Sequence, residues 1–69
     1  MKNYTIDSAE LALRLLHDMR PEVQRLLHSD AMDDAHLPLI EACVPFATIV
    51  AEVEGHNDFN RVLERELDL

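Results

Sequence analysis

The feature that most constrains the fold is a helical periodicity in the N-terminal half of the chain. From Ala12 to Leu27, apolar residues recur at steps of three and four, which places them on one face of an α-helix. The spacing continues across Pro21, which falls on the opposite face, where a bend can be accommodated. It predicts a bent helix over residues 8–28, with a break at Arg20 and a restart at Pro21 as the alternative.

Residues 1–6 are predicted to form a polar arm ahead of this helix. Asp7 and Glu10 have the spacing of a capping box in its aspartate form. Ile6 and Leu11 occupy the two positions of a hydrophobic staple around that cap. Together these residues predict a helix start with Asp7 as its N-cap.

A second helix is predicted over residues 38–54. Pro38 suits its first position, and Gly55 suits the position just after its end. Its apolar stripe consists of Leu39, Ala42, Cys43, Phe46, Ile49, Val50 and Val53. A strand over FATIVAEV is the alternative because of its β-branched residues, but two-residue alternation fails there and the three-four rhythm is longer.

The two remaining segments are a connector and a short helix. Residues 29–37 form an acidic connector between the long helices. After the turn that follows Gly55, Asn57 or Asp58 can cap a third helix over residues 58–67. Its apolar residues are Phe59, Val62, Leu63 and Leu67.

The apolar face of the first helix is too wide for one neighbour. Leu11 and Leu13 lie at its edges and widen it to about 200°, where a surface helix needs little more than about 100°. A chain of 69 residues is also near the size at which one core barely offsets the entropy of folding. We therefore predict an all-α fold, a helical hairpin with a short C-terminal helix, that forms a homodimer with a four-helix-bundle-like core. The predicted core and dimer residues are Leu15, Leu16, Met19, Val23, Leu26, Leu27, Leu39, Phe46, Ile49, Val50 and Val53.

Charge limits the classes of partner. Acidic residues outnumber lysine and arginine by 14 to 6, giving a net charge of −8. Residues 1–29 are neutral, and residues 30–69 carry the whole excess. Such a surface repels phosphate, so we expect no direct binding to nucleic acid or to an anionic membrane. Attraction to a basic protein surface remains possible.

Cysteine usage and the N-terminal composition bear on the compartment. The single cysteine excludes an intramolecular disulfide and suits a reducing environment. The first residues contain no apolar run that could serve as the core of a signal peptide, and no apolar run in the chain is long enough to span a bilayer. We therefore expect a cytoplasmic protein.

No catalytic constellation is recognisable in the sequence. Cys43 lies at the edge of an apolar stripe, where a thiol behaves as a small hydrophobe. A single glycine argues against phosphate-cradling loops, and neither Ser8 nor Ser29 sits in a nucleophile elbow. The prediction is a non-enzymatic protein without a cofactor.

The segment HSDAMDDAH, residues 28–36, has the composition of a metal site. His28, Asp33 and His36, with His56 as a further ligand, define a metal-responsive or metal-carrying module as an alternative function. The segment lacks a recognised ligand spacing, and aspartates near a helix start also cap amides and favour the positive end of the helix dipole. An acidic connector is therefore preferred, with no metal ligand assigned.

The function predicted from these features is binding to another protein. A small acidic helical module would bind and modulate or inhibit a partner, such as a DNA-binding protein, that offers a basic patch or a groove for a helix. A secretion-type chaperone is a further alternative. The predicted partner-binding residues are Tyr4, Arg14, His17, Arg25, Asp30, Asp33, Asp34 and Glu41.

Overall fold

The computed structural model describes residues 5–29 and 34–69, which form three α-helices. Helix α1 spans Ile6–Leu27, α2 spans Leu37–Glu54 and α3 spans Phe59–Leu67. The described ranges contain no strand, and the part of α2 for which a strand was the alternative is helical. The prediction of an all-α chain with two long helices and one short helix is confirmed.

The start of α1 differs from the prediction. Thr5 is the N-cap, with an extended backbone (φ −101°, ψ 171°) and a hydroxyl that accepts a hydrogen bond from the Ser8 amide at 3.1 Å. The capping box and staple centred on Asp7 are wrong, because Asp7 already lies in the first turn and the Ile6 side chain is 71% exposed. The Thr5 hydroxyl satisfies the first-turn amide, and the Asp7 carboxylate instead favours the positive end of the helix dipole.

The ends of α2 follow the predicted signals closely. The helix begins one residue early, at Leu37, so that Pro38 takes its second position. Gly55 ends the helix in the left-handed conformation (φ 94°), which glycine adopts without steric cost. The amides of Gly55 and His56 donate back to carbonyls of the last turn at 3.1 and 3.0 Å, which is the Schellman arrangement.

The other predicted boundaries shift by one residue. Helix α1 ends at Leu27, with His28 as the C-cap rather than as the last helical residue. Asp58 is the N-cap of α3, and its carboxylate accepts a hydrogen bond from the Arg61 amide at 3.2 Å. Asp58 thus lies outside the helix that it caps.

Both long helices continue through a proline. Pro21 lies within α1 and Pro45 within α2, and both side chains are exposed. A proline inside a helix removes one backbone hydrogen bond and costs about 3 kcal/mol, which tertiary packing must offset. The alternative of a break at Arg20 is wrong, since the apolar face stays in register on both sides of Pro21.

The core lies where the three helices meet, and each helix packs against both others. Of the predicted core residues, Leu16, Val23 and Val50 are at most 1% exposed. Those that are half-buried are Leu15, Met19, Leu26, Leu39, Phe46, Ile49 and Val53. Leu27 is 38% exposed at the end of α1. The buried alanines outside the predicted core list are Ala9, Ala12, Ala47 and Ala51.

Helix α2 buries a face that overlaps the predicted stripe at one edge. Cys43 and Val50 belong to both, whereas Phe46, Ile49 and Val53, on the other side of the stripe, are half-buried. The residues that are buried are Cys43, Ala47, Val50 and Ala51. Their mean direction lies roughly 80° around the helix from the predicted one, because small side chains let α2 approach its neighbours closely. The larger side chains of the predicted stripe are left half-covered.

The wide apolar face of α1 is partly covered within the chain itself. Leu13, at one edge of that face, packs against the common core, whereas Leu11, at the other edge, is 55% exposed. Both α2 and α3 contact α1. Helix α3 therefore supplies some of the cover that the sequence assigned to a second copy. No helix within the described ranges is long and apolar enough to cross a membrane.

Replacing Leu67 with alanine should strongly destabilise the fold. The Leu67 side chain is 0% exposed, so the Leu67→Ala variant should lose about 2–5 kcal/mol of unfolding free energy. Leu69→Ala is the matched control, since the same atoms are removed from a side chain that is 45% exposed, and we expect a loss below about 1 kcal/mol. Urea unfolding followed by circular dichroism measures both. Equal losses would contradict the packing of α3 into the core.

Candidate functional site

An apolar groove lies between α1 and α2. Its volume is 160 Å³, and its lining residues are Ser8, Leu11, Ala12, Leu15, Phe46 and Ile49. Ala12 is buried, whereas Leu15, Phe46 and Ile49 are half-buried. Leu11 stands at one edge with 55% of its surface exposed. The groove thus presents large apolar side chains to solvent without disturbing the core beneath.

The α2 side of the groove continues as an uncharged surface. Ala42 and Pro45 are both exposed, and they lie one turn before Phe46 and Ile49 respectively. Helix α2 contains no basic residue, and its three carboxylates are Glu41, Glu52 and Glu54. Most of the circumference of α2 is therefore apolar, and among the described elements α1 and α3 are the helices that pack on it. A helix that is apolar all round is normally buried on all sides.

Acidic side chains surround this apolar surface. On α1, Asp7 lies one turn before Leu11, and Asp18 lies one turn after Leu15. On α2, Glu41 lies one turn before Pro45. We call Asp7, Asp18 and Glu41 the acidic rim. All three are exposed, and the ion pairs of the described chain do not involve them.

The described members of the predicted partner-binding set lie on α1, on α2 and in the segment before α2. Arg14 is exposed on α1 near Leu11, and Asp34 and Glu41 are also exposed. Arg25 pairs with Glu22 one turn earlier on α1, and this hydrogen bond lowers the pKa of the Glu22 carboxyl. Tyr4, Asp30 and Asp33 lie outside the described residues. His17 faces α3, as described next.

A network of charged side chains joins all three helices. Its centre is Arg65 on α3, whose guanidinium donates to Glu54 of α2 at 2.6 Å and to Glu66 at 2.5 Å. The Glu66 carboxylate also contacts the His17 Nε2 atom of α1 at 2.5 Å. His56, in the turn after α2, contacts Glu54 through Nε2 at 2.9 Å. We call these five residues the charged network.

The hydrogen bonds of His56 determine which of its ring nitrogens carries the proton. Its Nδ1 atom accepts a hydrogen bond from the Asp58 amide at 3.1 Å, so in the neutral ring the proton lies on Nε2. That proton is donated to the Glu54 carboxylate. His56 thereby connects the end of α2 to the cap of α3.

The network changes the acidity of its carboxyl groups. The hydrogen bond from Arg65, supported by the one from His56, lowers the pKa of Glu54. Burial acts to raise the pKa of Glu66, whose side chain is 13% exposed, but the hydrogen bonds and charges of Arg65 and His17 outweigh it. Both carboxyls therefore stay ionised to lower pH than a free glutamate does, and the two hydrogen-bonded carboxylates raise the pKa of Arg65.

Gln24 attaches the C-terminus of α3 to α1. Its side-chain amide donates to the Leu67 carbonyl at 2.8 Å and to the Asp68 carbonyl at 2.7 Å. These carbonyls belong to the end of a helix, where the helix itself offers no donor. Neither Gln24 nor the network was identified from the sequence. The partners His17 and Glu66, like Gln24 and Leu67, are more than 40 residues apart and leave no local pattern.

The described histidines of the predicted metal segment lie in different environments. His28 Nδ1 lies 2.9 Å from the Gln24 carbonyl, an acceptor, so this nitrogen carries a proton. His36 is half-buried before α2, and Asp33 lies outside the described residues. Within residues 5–29 and 34–69, no three potential ligands come together to hold a metal ion.

A wider depression, of 460 Å³, lies at the turn between α2 and α3. Its lining residues are Glu52, Gly55, His56 and Asn57. It is shallow, and its imidazole is already bonded to Glu54 and Asp58. Cys43 lies elsewhere, in the core, where it is 1% exposed and burial raises the pKa of its thiol. A raised pKa disfavours the thiolate, the reactive form of cysteine.

Acid should destabilise the fold through the charged network. The pKa values of Glu54 and Glu66 are lower in the folded chain than in the unfolded chain, where each is about 4.3. Their contribution to stability is complete above that value and is lost as the pH falls through the lower, folded-state pKa. Arg65→Met should therefore reduce the loss of unfolding free energy between about pH 6 and about pH 3.

Arg61→Met is the matched control for this experiment, because Arg61 is exposed on the same helix and is not part of the network. We expect it to keep the acid dependence of the wild type. Urea unfolding at several pH values measures the slope for each variant. Identical slopes for the two methionine variants would contradict the assigned role of Arg65.

The α1/α2 groove is the candidate functional site. Its lining side chains are apolar apart from the Ser8 hydroxyl and include no titratable group, so they offer shape and apolar contact for binding a ligand. The charged network, on the α3 side of the bundle, links α3 to both helices that form the groove. Comparisons of the chain with protein-family models, curated proteins and solved structures found no match.

Proposed function

We propose that this chain is a small, acidic, non-enzymatic module that binds another protein through the α1/α2 groove and thereby modulates or inhibits it. The observation that carries the proposal is the open apolar face of α2 beside the exposed Leu11. Apolar surface of this kind, rimmed by polar residues, is typical of interaction sites. A docked partner would remove it from water, which supplies the free energy of binding.

The binding mode that this shape favours is a helix in a groove. Two helices form the walls, and the larger side chains stand at successive helical turns, as Leu11 and Leu15 do on α1. A partner helix can place its own apolar residues between them, at positions i, i+4 and i+7. The related alternative is that this chain is a secretion-type chaperone, which would hold a segment of another protein in the same groove.

Mimicry of nucleic-acid charge is a narrower form of the proposal. Its predicted residues are Asp30, Asp33, Asp34, Glu41, Glu52, Glu54 and Asp58. Among them, Glu54 is paired with Arg65 and Asp58 caps α3, so these carboxylates already have partners within the chain. Asp34 and Glu41 are exposed. The apolar groove supports the binding proposal more directly than this acidic set does.

The homodimer predicted from the sequence would use the same face. Two copies packed groove to groove would cover Leu11 and the open face of α2 in both chains, and their four long helices would form the four-helix-bundle-like core. Sedimentation equilibrium at micromolar concentrations tests this prediction. A dimer that Leu11→Lys converts to monomer would support it, and a wild-type monomer would contradict it.

Capture of partners from a lysate of the source organism tests the binding function. The bait is the tagged chain in three forms: wild type, Leu11→Lys and Leu37→Lys. Leu37→Lys is the matched control, because Leu37 is 47% exposed but does not line the groove. We expect a partner in near-equal amount with the wild type and the control, and at least about a tenfold loss with Leu11→Lys, since a buried ammonium costs several kcal/mol.

Thermal melting checks that both lysine variants are folded. A partner captured equally by all three baits would show that the groove is not the binding site. No reproducible partner with the wild type would count against the function itself.

A further inference from the structure

We propose that the occupant of the α1/α2 groove is a basic amphipathic helix of another protein, with its apolar face between α1 and α2 and its lysine or arginine side chains against the acidic rim. This inference rests on the proposed function and adds the chemistry of the partner. It follows from the arrangement of the rim around the groove.

The rim places negative charge at both ends of the α1 wall. Asp7 and Asp18 lie eleven residues apart on α1, which corresponds to about 16 Å along the helix axis. Leu11 and Leu15 stand between them. About three turns of a partner helix have the same length, so its apolar residues can fill the groove while basic residues at its two ends reach the carboxylates.

The α2 wall has a carboxylate at its N-terminal end. Glu41 precedes Pro45 and Ile49 on one line of the helix, and α2 has no basic residue that could neutralise it. Both walls of the groove therefore combine an apolar centre with a carboxylate at the end. On a partner helix, the complementary pattern is an apolar stripe flanked by cations on both sides.

The basic residues of α1 leave this acidic character in place. Arg25 is held by Glu22, and Arg14 is the exposed cation nearest to Leu11 in the described part of α1. Among the described side chains around the groove, the three carboxylates of Asp7, Asp18 and Glu41 stand against one nearby cation, Arg14, which leaves an excess of negative charge. The acidic rim is also exposed, so a partner's cations can approach it without displacing an ion pair between described residues.

A second copy of the chain, which is the competing occupant in the homodimer predicted from the sequence, fits this rim poorly. In a two-fold symmetric contact, the same patch meets itself, so the acidic rim of one copy would face the rim of the other. Each copy also carries a net charge of −8, which adds long-range repulsion. A cationic helix gains attraction from the same charges, both on approach and in the complex.

Titration with designed peptides tests the inference. The basic peptide, of about 18 residues, has leucine at helical positions i, i+4, i+7 and i+11 and lysine or arginine on both flanks. An acidic peptide keeps the leucines and replaces the flanking cations with glutamate. A scrambled peptide keeps the composition of the basic one but breaks the leucine spacing. Fluorescence anisotropy measures the binding of each labelled peptide at about 50 and about 300 mM salt.

We expect the basic peptide to bind at least about tenfold more tightly than the acidic or the scrambled one, and to weaken severalfold with added salt. Leu11→Lys, or Ala42→Lys on the exposed α2 side of the groove, should abolish binding, and Leu37→Lys should not. The double variant Asp18→Asn/Glu41→Gln should weaken binding severalfold. Glu10→Gln/Glu64→Gln changes the net charge equally at exposed positions outside the rim and should have little effect.

Three outcomes would overturn the inference. The first is equal binding of the basic and scrambled peptides, or an equal effect of the two double variants, because either would indicate non-specific attraction to an acidic protein. The second is self-association that Leu11→Lys abolishes, without peptide binding, which would make a second copy the occupant. The third is binding of no peptide by a monomeric protein. If lysate capture still depended on Leu11 in that case, the proposed function would stand and only the chemistry of the partner would be wrong.

Discussion

The arrangement of this molecule depends on a helix that is apolar around most of its circumference but, in the described part of the chain, is packed by two other helices. Helix α2 carries three carboxylates and no basic residue in 18 positions, and α1 and α3 are the two helices that pack on it. Its buried face includes Ala47 and Ala51, both 0% exposed, and such small side chains permit a short distance between helix axes. The face with the larger side chains, Phe46 and Ile49, becomes one wall of an open groove.

Helix α3 completes the bundle by two different kinds of interaction. Its buried residues, Val62, Leu63 and Leu67, join the common core. Its polar side holds the charged network, in which Arg65 reaches α2 and Glu66 reaches α1. A nine-residue helix is too short to be stable alone, so its position is set by these contacts. Because α3 occupies one side of the α1/α2 pair, the open groove is on the other.

Charge and apolar surface act together in the proposed function. The groove supplies contact area, and the acidic rim determines which partners gain electrostatic attraction from that contact. The charged network is on the α3 side of the bundle and has its own cation, Arg65, so it stabilises the bundle without neutralising the acidic rim. Stability and recognition are thus assigned to separate sets of charged residues in this small chain.

The sequence by itself determined the helices, since the three-four spacing, Gly55 and Asp58 act within a few residues of one another. It also indicated that α1 has more apolar surface than one neighbour can cover. It did not determine which face of α2 would be buried, because Ala47 and Ala51 are weakly apolar and are selected only by close helix packing. The start of α1 was misassigned because Thr5 and Asp7 offer competing caps. The tertiary structure alone joined His17 to Glu66 and Gln24 to Leu67, since pairs so far apart in sequence meet only when the bundle forms.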